Sequence, residues 1–229
     1  MQKCVQIAID GPVGSGKSDI SARLAHRLGF VFLYTGAMYR ALALLCIQQG
    51  VDRKDTPRVL SLLSIHTIEL VQAASGSKRP YRVLLDAVDV TEKLFVPDID
   101  KGASDVAVLP EVRQYMVKRQ QELAVGKNVV MEGRDIGLRV LPNADIKIYL
   151  TAKPEERAKR RLLQYQRQGK IISLDEMIAD TKARDKQDST RVTDPLQKLP
   201  DAWELDTTGL TQEGVVEVII DELKKRMLL

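Results

Sequence analysis

Residues 11–18 constrain the fold of this chain more than any other segment. They read Gly-Pro-Val-Gly-Ser-Gly-Lys-Ser and match the pattern G-x-x-x-x-G-K-[ST] at every fixed position. A short apolar run at residues 5–9 precedes them, and the helical spacing of Ile20, Leu24 and Leu28 follows them. The pattern is typical of a loop between a buried strand and a helix, in which glycines let backbone N–H groups approach phosphate oxygens closely.

This loop predicts a site for a nucleoside triphosphate and Mg²⁺. We expect Lys17 to reach the β- and γ-phosphates, the Ser18 hydroxyl to be a Mg²⁺ ligand, and the helix N-terminus to attract negative charge. The candidate binding residues are Gly11, Pro12, Val13, Gly14, Ser15, Gly16, Lys17, Ser18 and Asp19. The loop does not identify the acceptor, because GTPases, ATPases and kinases share it. The sequence has no Asn/Thr-Lys-x-Asp segment, which disfavours a GTPase.

Short apolar runs that alternate with helical patterns predict an α/β fold with a parallel sheet. The predicted strands are residues 5–9, 30–33, 129–131, 146–150 and 202–205. The predicted helices are residues 17–28, 36–49, 97–109, 110–125, 154–168, 174–186 and 211–227. Alternating apolar residues at 65–72 and 81–90, on either side of a turn-rich segment at 74–80, predict a β-hairpin lobe inserted into the α/β body.

Length and composition exclude several classes of protein. The 229 residues can form one sizeable core, and no apolar run approaches the roughly 18–20 residues of a membrane span. Cys4 and Cys46 are the only cysteines, so a disulfide framework within one chain is not expected, and the chain is expected to be cytoplasmic. The net charge of +4 is compatible either with a solvated surface of mixed charge or with nucleic-acid binding.

Two further segments indicate an anion site at the carboxyl edge of the sheet. Thr35 is expected to be the N-cap of the second helix, with a hydroxyl that can donate to phosphate, and Arg40 follows one turn later. A predicted strand ends in Glu132-Gly-Arg-Asp135, at the edge where α/β proteins bind ligands. A plain helix cap at Thr35 and a charged surface turn at 132–135 remain the alternatives.

Taken together, four motifs resemble those of bacterial cytidylate kinase, a P-loop nucleoside monophosphate kinase. They are Ile9-Asp-Gly-Pro-x-Gly-Ser-Gly-Lys, Thr35-Gly-Ala-Met-Tyr-Arg, Glu132-Gly-Arg-Asp-Ile-Gly and Arg184-Asp-x-x-Asp-Ser-x-Arg191. The resemblance runs from about residue 5 to the terminal helix. It implies a single domain over residues 1–229 with a three-layer αβα fold around a central parallel sheet. In that domain, residues 1–34, 110–152 and 170–229 would form the core, 35–109 the monophosphate-binding region with its small antiparallel sheet, and 153–169 a short helical lid.

The resemblance also implies a reaction, the transfer of a phosphoryl group from ATP to CMP and dCMP in pyrimidine nucleotide metabolism. The expected partners are small molecules, with no nucleic acid and no membrane, and the expected state is a monomer. The alternatives are a kinase for another small acceptor, such as UMP or shikimate, and a P-loop ATPase that acts as a switch. Uniformly basic runs with interleaved aromatic residues, which would favour nucleic acid, are absent from the sequence.

The roles of individual residues come from the same resemblance. It implies that the acceptor phosphate is bound by Thr35, Arg40, Arg134 and Arg191. It implies that cytosine is read by Ser104, Arg113 and Asp135, and that the ribose is bound by Arg184 and Asp188. Arg157 and Arg161 would belong to a mobile lid over the ATP phosphates, and the catalytic set would be Lys17, Arg134, Arg184, Arg157 and Arg161.

The sequence departs from the family pattern at a few positions. Tyr34 stands where Asp is usual, and Asp19 stands where Thr is common. Leu138 and Arg139 replace a Thr and an apolar residue, and the segment Thr193-Asp-Pro replaces a more usual Ala-Pro. Because Tyr34 and Asp19 would lie near the transferred phosphate, these departures concern the rate of catalysis more than the fold.

Overall fold

The computed structural model describes residues 4–74, 77, 79–167 and 169–229. The strands in these ranges are β1 (Gln6–Asp10), β2 (Val31–Tyr34), β3 (Ile68–Gln72), β4 (Tyr81–Leu85), β5 (Val88–Asp89), β6 (Val129–Gly133), β7 (Ile146–Thr151) and β8 (Trp203–Asp206). The α-helices are α1 (Lys17–Leu28), α2 (Thr35–Gln48), α3 (Thr56–Ile65), α4 (Pro97–Val106), α5 (Pro110–Ala124), α6 (Pro154–Arg167), α7 (Leu174–Thr190) and α8 (Gln212–Lys225). A 3₁₀ turn (Thr91–Leu94) and a π-helical turn (Ile136–Val140) complete the regular structure.

The central sheet has five strands in the order β2-β6-β1-β7-β8, and every neighbouring pair is parallel. All five residues of β6 are buried, as expected for an inner strand that is covered by helices on both faces. α1 packs against β6 and α8, whereas α2 packs against β6, α4 and α5. The three-layer α/β fold predicted from the sequence is confirmed.

The parallel arrangement brings the carboxyl ends of the strands to one edge of the sheet. Ile9 pairs with Glu132, Asp10 pairs with Gly133, and Tyr34 also pairs with Glu132. The ends of β1, β2 and β6 are therefore adjacent, and the loop at 11–18 begins directly beside them. Different polar segments therefore meet at this edge, where open α/β sheets bind their ligands.

A second, antiparallel sheet has the order β3-β4-β5. The predicted hairpin corresponds to β3 and β4, but residues 81–90 form two strands, because Asp86 and Ala87 adopt positive φ angles of 50° and 65° and reverse the chain between them. Of the predicted turn segment, Ser75, Gly76 and Lys78 lie outside the described residues.

The sequence-based prediction was wrong at Ile65, which ends α3 and does not begin a strand. α3 itself was not predicted. Its N-cap Asp55 accepts a hydrogen bond from the Arg58 backbone N–H, and Val59, Leu62 and Leu63 are buried on its inner face. In the described ranges, no helix combines the length and the apolar character that crossing a bilayer requires.

Candidate active site

The phosphate loop lies close to the neighbouring backbone on two sides. Gly11, Gly14 and Gly16 have positive φ angles of 153°, 75° and 90°. A Cβ atom on Gly14 would lie 2.7 Å from the Arg157 carbonyl oxygen, so a larger residue would collide with the start of α6. Gly16 is the N-cap of α1, which leaves the first N–H groups of that helix directed toward the loop. The loop therefore combines glycine backbone conformations with the N-terminal N–H groups of α1, as a phosphate-binding loop requires.

Lys17 is buried inside this loop, with only 5% of its surface exposed. Its Nζ donates to the Pro12 carbonyl at 2.7 Å and to the Ser15 hydroxyl at 3.3 Å. Burial, with a further contribution from the nearby Arg134, lowers the pKa of Lys17 to about 7. An anion that enters the loop would favour the charged ammonium.

Ser18 and Glu132 bring two hard oxygen donors together beside the loop. The Ser18 hydroxyl donates to Glu132 Oε1 at 2.6 Å, and Glu132 is almost fully buried at the end of β6. Oxygen donors of this kind suit Mg²⁺, which binds few protein ligands and keeps waters and phosphate oxygens as the others. In the described part of the chain no cluster of three or more His, Cys, Asp or Glu side chains could hold a metal alone. The residues present thus fit a Mg²⁺ ion that arrives with a nucleotide.

Asp10 connects the phosphate loop to the turn after β6. Its two carboxylate oxygens accept the backbone N–H groups of Ile136 and Gly137, each at 2.8 Å. Burial raises the pKa of Asp10 to about 6, although these two hydrogen bonds oppose the shift. Asp10 is the last residue of β1, so the connection begins immediately before Gly11.

The two arginines proposed for the lid are buried against α7. Arg157 donates to the Val13 carbonyl at 3.0 Å and forms an ion pair with Asp185 at 2.8 Å. Arg161 donates to Thr181 at 2.9 Å and forms an ion pair with Asp180 at 2.6 Å. In this structure Arg157 contacts the loop, whereas the hydrogen bond and the ion pair described for Arg161 are both with α7.

Arg160, which the sequence reasoning missed, contacts the loop from the same helix. It donates to the Ser15 carbonyl at 3.3 Å and to both the hydroxyl and the carbonyl of Thr207 at 2.9 Å. A groove of about 210 Å³ opens here. Its lining includes Gly14, Gly16, Arg160, Leu163, Thr207 and Leu210. The arginine-rich composition of residues 157–161 was a signal for this helix, but no local pattern distinguished Arg160 from its neighbours.

Arg40 is held in a fixed position at the first turns of α2. It forms an ion pair with Asp100 of α4, with nitrogen–oxygen distances of 2.8 and 2.9 Å, and its Nη1 also donates to the Tyr34 hydroxyl. The Tyr34 ring makes an edge contact with Tyr81 of β4, with a centroid distance of 5.5 Å. The small antiparallel sheet therefore packs against the tyrosine whose hydroxyl accepts a hydrogen bond from Arg40.

The predicted N-cap role of Thr35 is wrong. Tyr34 is the N-cap of α2, without a side-chain capping bond, and Thr35 is the first helical residue. The buried Thr35 hydroxyl donates to the Glu132 carbonyl at 2.8 Å, because β2 and β6 end side by side. Gly133 allows this approach, since a Cβ atom there would lie 2.8 Å from Thr35 Oγ1.

Arg184 of α7 lies close enough to two other arginines, Arg134 and Arg40, for their charges to act on it. Arg134 forms an ion pair with Asp188 at 2.8 Å. The Nε of Arg184 is buried and has no hydrogen-bond partner among the described residues. Burial, followed by the like charges of Arg134 and Arg40, lowers the pKa of Arg184. A buried guanidinium N–H without a hydrogen-bond partner, close to other cations, is an environment that favours an anionic ligand.

Arg113 and Asp135, predicted to act together, form a buried ion pair. Arg113 also donates to the Ala107 carbonyl at 3.1 Å and contacts Asp194 at 3.3 Å. Arg191, at the end of α7, donates to the Asp194 carbonyl at 2.7 Å and lies 3.9 Å from Asp135. The structure thus brings Arg113, Asp135 and Arg191 into one cluster.

Ser104 is the one predicted base-reading residue whose described contact is local. Its hydroxyl donates to the Asp100 carbonyl at 3.3 Å, one turn earlier in α4. Asp100 is itself the partner of Arg40, so α4 contributes to the same region through two positions one turn apart.

Comparisons with known proteins agree on one family. The family model described as "Cytidylate kinase" matches residues 7–225. The cytidylate kinase of Pelotomaculum thermopropionicum is 44% identical over 220 residues, which cover 96% of this chain and 96% of that protein. The cytidylate kinase of Solibacter usitatus is 44% identical over 228 residues, covering 99% of this chain and 95% of that protein.

Among solved structures, an uncharacterized protein from Eubacterium ventriosum is similar with a TM-score of 0.53. It is 11% identical, and the alignment covers 96% of this chain and 98% of that one. This similarity concerns the fold alone, whereas the family rests on the sequence matches along nearly the whole chain. The chain belongs to the cytidylate kinase family.

Proposed function

We propose that this chain transfers the terminal phosphoryl group of ATP to CMP and dCMP, giving CDP and dCDP. The observation that carries the proposal is the cluster of Arg40, Arg134 and Arg184, in which Arg184 Nε is buried without a partner among the described residues. A P-loop accounts for one polyanionic substrate, and this cluster accounts for a second anion beside it. Two polyanions in one site are what a nucleotide kinase must bind.

The donor half of the site is the loop at 11–19. Kinases of this family use ATP, and Lys17 would neutralise its β- and γ-phosphates. Mg²⁺ would be held by Ser18, with Glu132 close by, and would supply further charge neutralisation on the phosphate oxygens. The groove beside Arg160 and Thr207 opens directly from the loop and is a candidate site for the nucleotide base.

The acceptor half would use the remaining arginines. Thr35, Arg40, Arg134 and Arg191 would bind the CMP phosphate, Arg184 and Asp188 the ribose, and Ser104, Arg113 and Asp135 the cytosine. A phosphate oxygen is already a nucleophile at neutral pH, so no strong general base is required. Positioning and charge neutralisation would therefore supply most of the rate.

We further propose that residues 35–109 form the monophosphate-binding region and that residues 153–169 act as the lid. Arg157 and Arg161 would then exchange some of their present contacts with α7 for contacts with ATP phosphates when the lid closes. Closure would exclude water and limit ATP hydrolysis without an acceptor. We expect the protein to act as a cytoplasmic monomer.

A coupled assay of ADP formation tests this proposal with CMP, dCMP, UMP, AMP, GMP and shikimate as acceptors. Activity is expected with CMP and dCMP and to depend on added Mg²⁺. Activity confined to a different acceptor would refute the cytidine assignment. ATP hydrolysis at the same rate without any acceptor would refute the kinase assignment and favour an ATPase.

A further inference from the structure

Asp194 contacts three arginines that come from three different parts of the chain. Its Oδ2 lies 3.3 Å from Arg113 Nε, and its Oδ1 lies 2.6 Å from Arg139 Nε. Its backbone carbonyl accepts hydrogen bonds from Arg191. One residue thus joins α5, the π-helical turn after β6 and the end of α7.

The backbone of Asp194 adopts an uncommon conformation in the segment that makes these contacts. Its φ angle is 50°, in the left-handed region that few residues other than glycine adopt, although aspartate tolerates it better than most. Two residues later, the Leu196 N–H donates to the Asp188 carbonyl at 2.8 Å, which folds the segment back onto α7. The Asp194 side chain is only 10% exposed, so its carboxylate faces the arginines and not solvent.

These contacts restrict the orientation in which the Arg113 guanidinium can contact a ligand. A guanidinium has five N–H donors in one plane. Asp135, Asp194 and the Ala107 carbonyl take one donor each, on Nη2, Nε and Nη1. Two N–H groups remain, and their direction is set by the three contacts. Loss of the Asp194 contact would free the Nε side of the plane to rotate.

We infer that Asp194 is a positioning residue for the acceptor nucleotide. It fixes Arg113 through its carboxylate and Arg191 through its carbonyl, while Arg139 holds the carboxylate from the outer side. The inference rests on the proposed function, in which Arg113 and Arg191 contact CMP. Asp194 itself is assigned no contact with the substrate.

A simple charge effect predicts the opposite result from a positioning role. The cluster contains Arg113, Arg139 and Arg191 against Asp135 and Asp194, which gives 3 − 2 = +1. Removal of Asp194 raises this to 3 − 1 = +2. If the carboxylate only offsets positive charge, its loss should strengthen the binding of an anionic acceptor. If it positions the arginines, its loss should weaken that binding.

The test is steady-state kinetics of Asp194→Ala and Asp194→Asn with CMP and ATP varied separately, together with calorimetric titration of CMP into each variant. For Asp194→Ala we expect the KM for CMP to rise about tenfold or more, as for loss of a hydrogen bond to a charged group, with the KM for ATP within about twofold. Asp194→Asn keeps one acceptor oxygen of the same shape and should lie between wild type and Asp194→Ala. Arg139→Met removes only the outer partner, which is more than half exposed, so a smaller rise is expected.

Asp201→Ala is the matched control, because the exposed Asp201 carboxylate forms an ion pair with Lys147 at 2.7 Å outside this cluster. Its constants for CMP and ATP should match those of the wild type. An unchanged or lower KM for CMP in both Asp194 variants would overturn the inference. So would an equal loss of CMP and ATP binding in Asp194→Asn, the variant that best preserves the packing. If the wild type itself does not phosphorylate CMP, the proposed function fails, which is a separate result.

Discussion

Because burial lowers the pKa of Lys17, we expect the binding of ATP to be coupled to protonation of this amine. With a pKa of about 7 in the free protein, this amine is mostly neutral at pH 8, whereas a bound triphosphate favours the ammonium. We therefore expect ATP binding at pH 8 to take up about one proton, measured by calorimetry in buffers of different ionisation enthalpy. Lys17→Arg keeps a permanent charge and should bind without this uptake. Equal proton uptake by both proteins would contradict the shifted pKa.

Arg191 offers a second prediction for a single residue. It contacts Asp194 and Asp135 on the proposed acceptor side, and none of its described contacts is with the phosphate loop. Arg191→Ala should raise the KM for CMP by about tenfold to a hundredfold, as for loss of a charge-assisted hydrogen bond, with much less change in the KM for ATP. Initial rates measured with each substrate varied in turn provide the check. An equal loss for both substrates would argue against the assigned role.

Among the secondary-structure elements, the small antiparallel sheet contacts the proposed acceptor side, because Tyr81 of β4 packs against Tyr34 of β2. Tyr34→Phe keeps the ring contact with β4 but removes the hydroxyl that accepts from Arg40. Because this leaves a donor of a largely buried cation unpaired, we expect the KM for CMP to rise about tenfold while the KM for ATP changes little. Tyr115→Phe, which removes a hydroxyl that contacts the Leu63 carbonyl, should have no such effect. A result that is the same for both variants would remove Tyr34 from the site.

Local sequence patterns predicted most elements but not every boundary. Buried strands and proline-initiated helices carry strong local signals, as at β6 and at Pro97 and Pro110. α3 was missed because its end at Ile65 runs into β3 with only two residues between them, so the two periods merge. The chain reversal before β5 was missed because Ala87, unlike aspartate, is rarely found at positive φ, and the turn contains no glycine or asparagine to indicate it.

The candidate site was predictable where a motif is contiguous and not where it is assembled by folding. The loop at 11–18 and the turn at 132–135 are continuous segments, and their backbones follow from glycine and strand patterns. The contact between Arg113 and Asp194 spans 81 positions, and that between Arg160 and Thr207 spans 47. Such contacts depend on how helices pack on the sheet, which a single sequence does not reveal. The shift of Thr35 from N-cap to first helical residue has the same origin, because its hydroxyl is taken by the neighbouring strand.

For the whole molecule, the net charge understates the positive charge that is concentrated at the candidate site. The sequence carries only +4, yet several arginines converge at one edge of the sheet. We expect the KM for CMP to rise severalfold between about 0.05 and 0.3 M NaCl, because salt screens the attraction between these arginines and the acceptor. Assays at constant Mg²⁺ measure this rise, and Arg191→Ala should show a weaker salt dependence. A salt-independent KM would contradict an electrostatic acceptor site.

Asp10 lies between the phosphate loop and the turn that carries Arg134 and Asp135. It ends the strand that leads into the phosphate loop, and its carboxylate holds the backbone just beyond Arg134 and Asp135. In the proposed function, we expect this side chain, which is assigned to neither substrate, to set the distance that the phosphoryl group crosses. Asp10→Asn cannot accept both N–H groups, so it should bind ATP and CMP separately with nearly normal affinity while turnover falls about a hundredfold, as a small misplacement of reactants does. Such a protein would have two intact nucleotide-binding sites at the wrong distance from each other. Binding assays with a single nucleotide would not detect its defect.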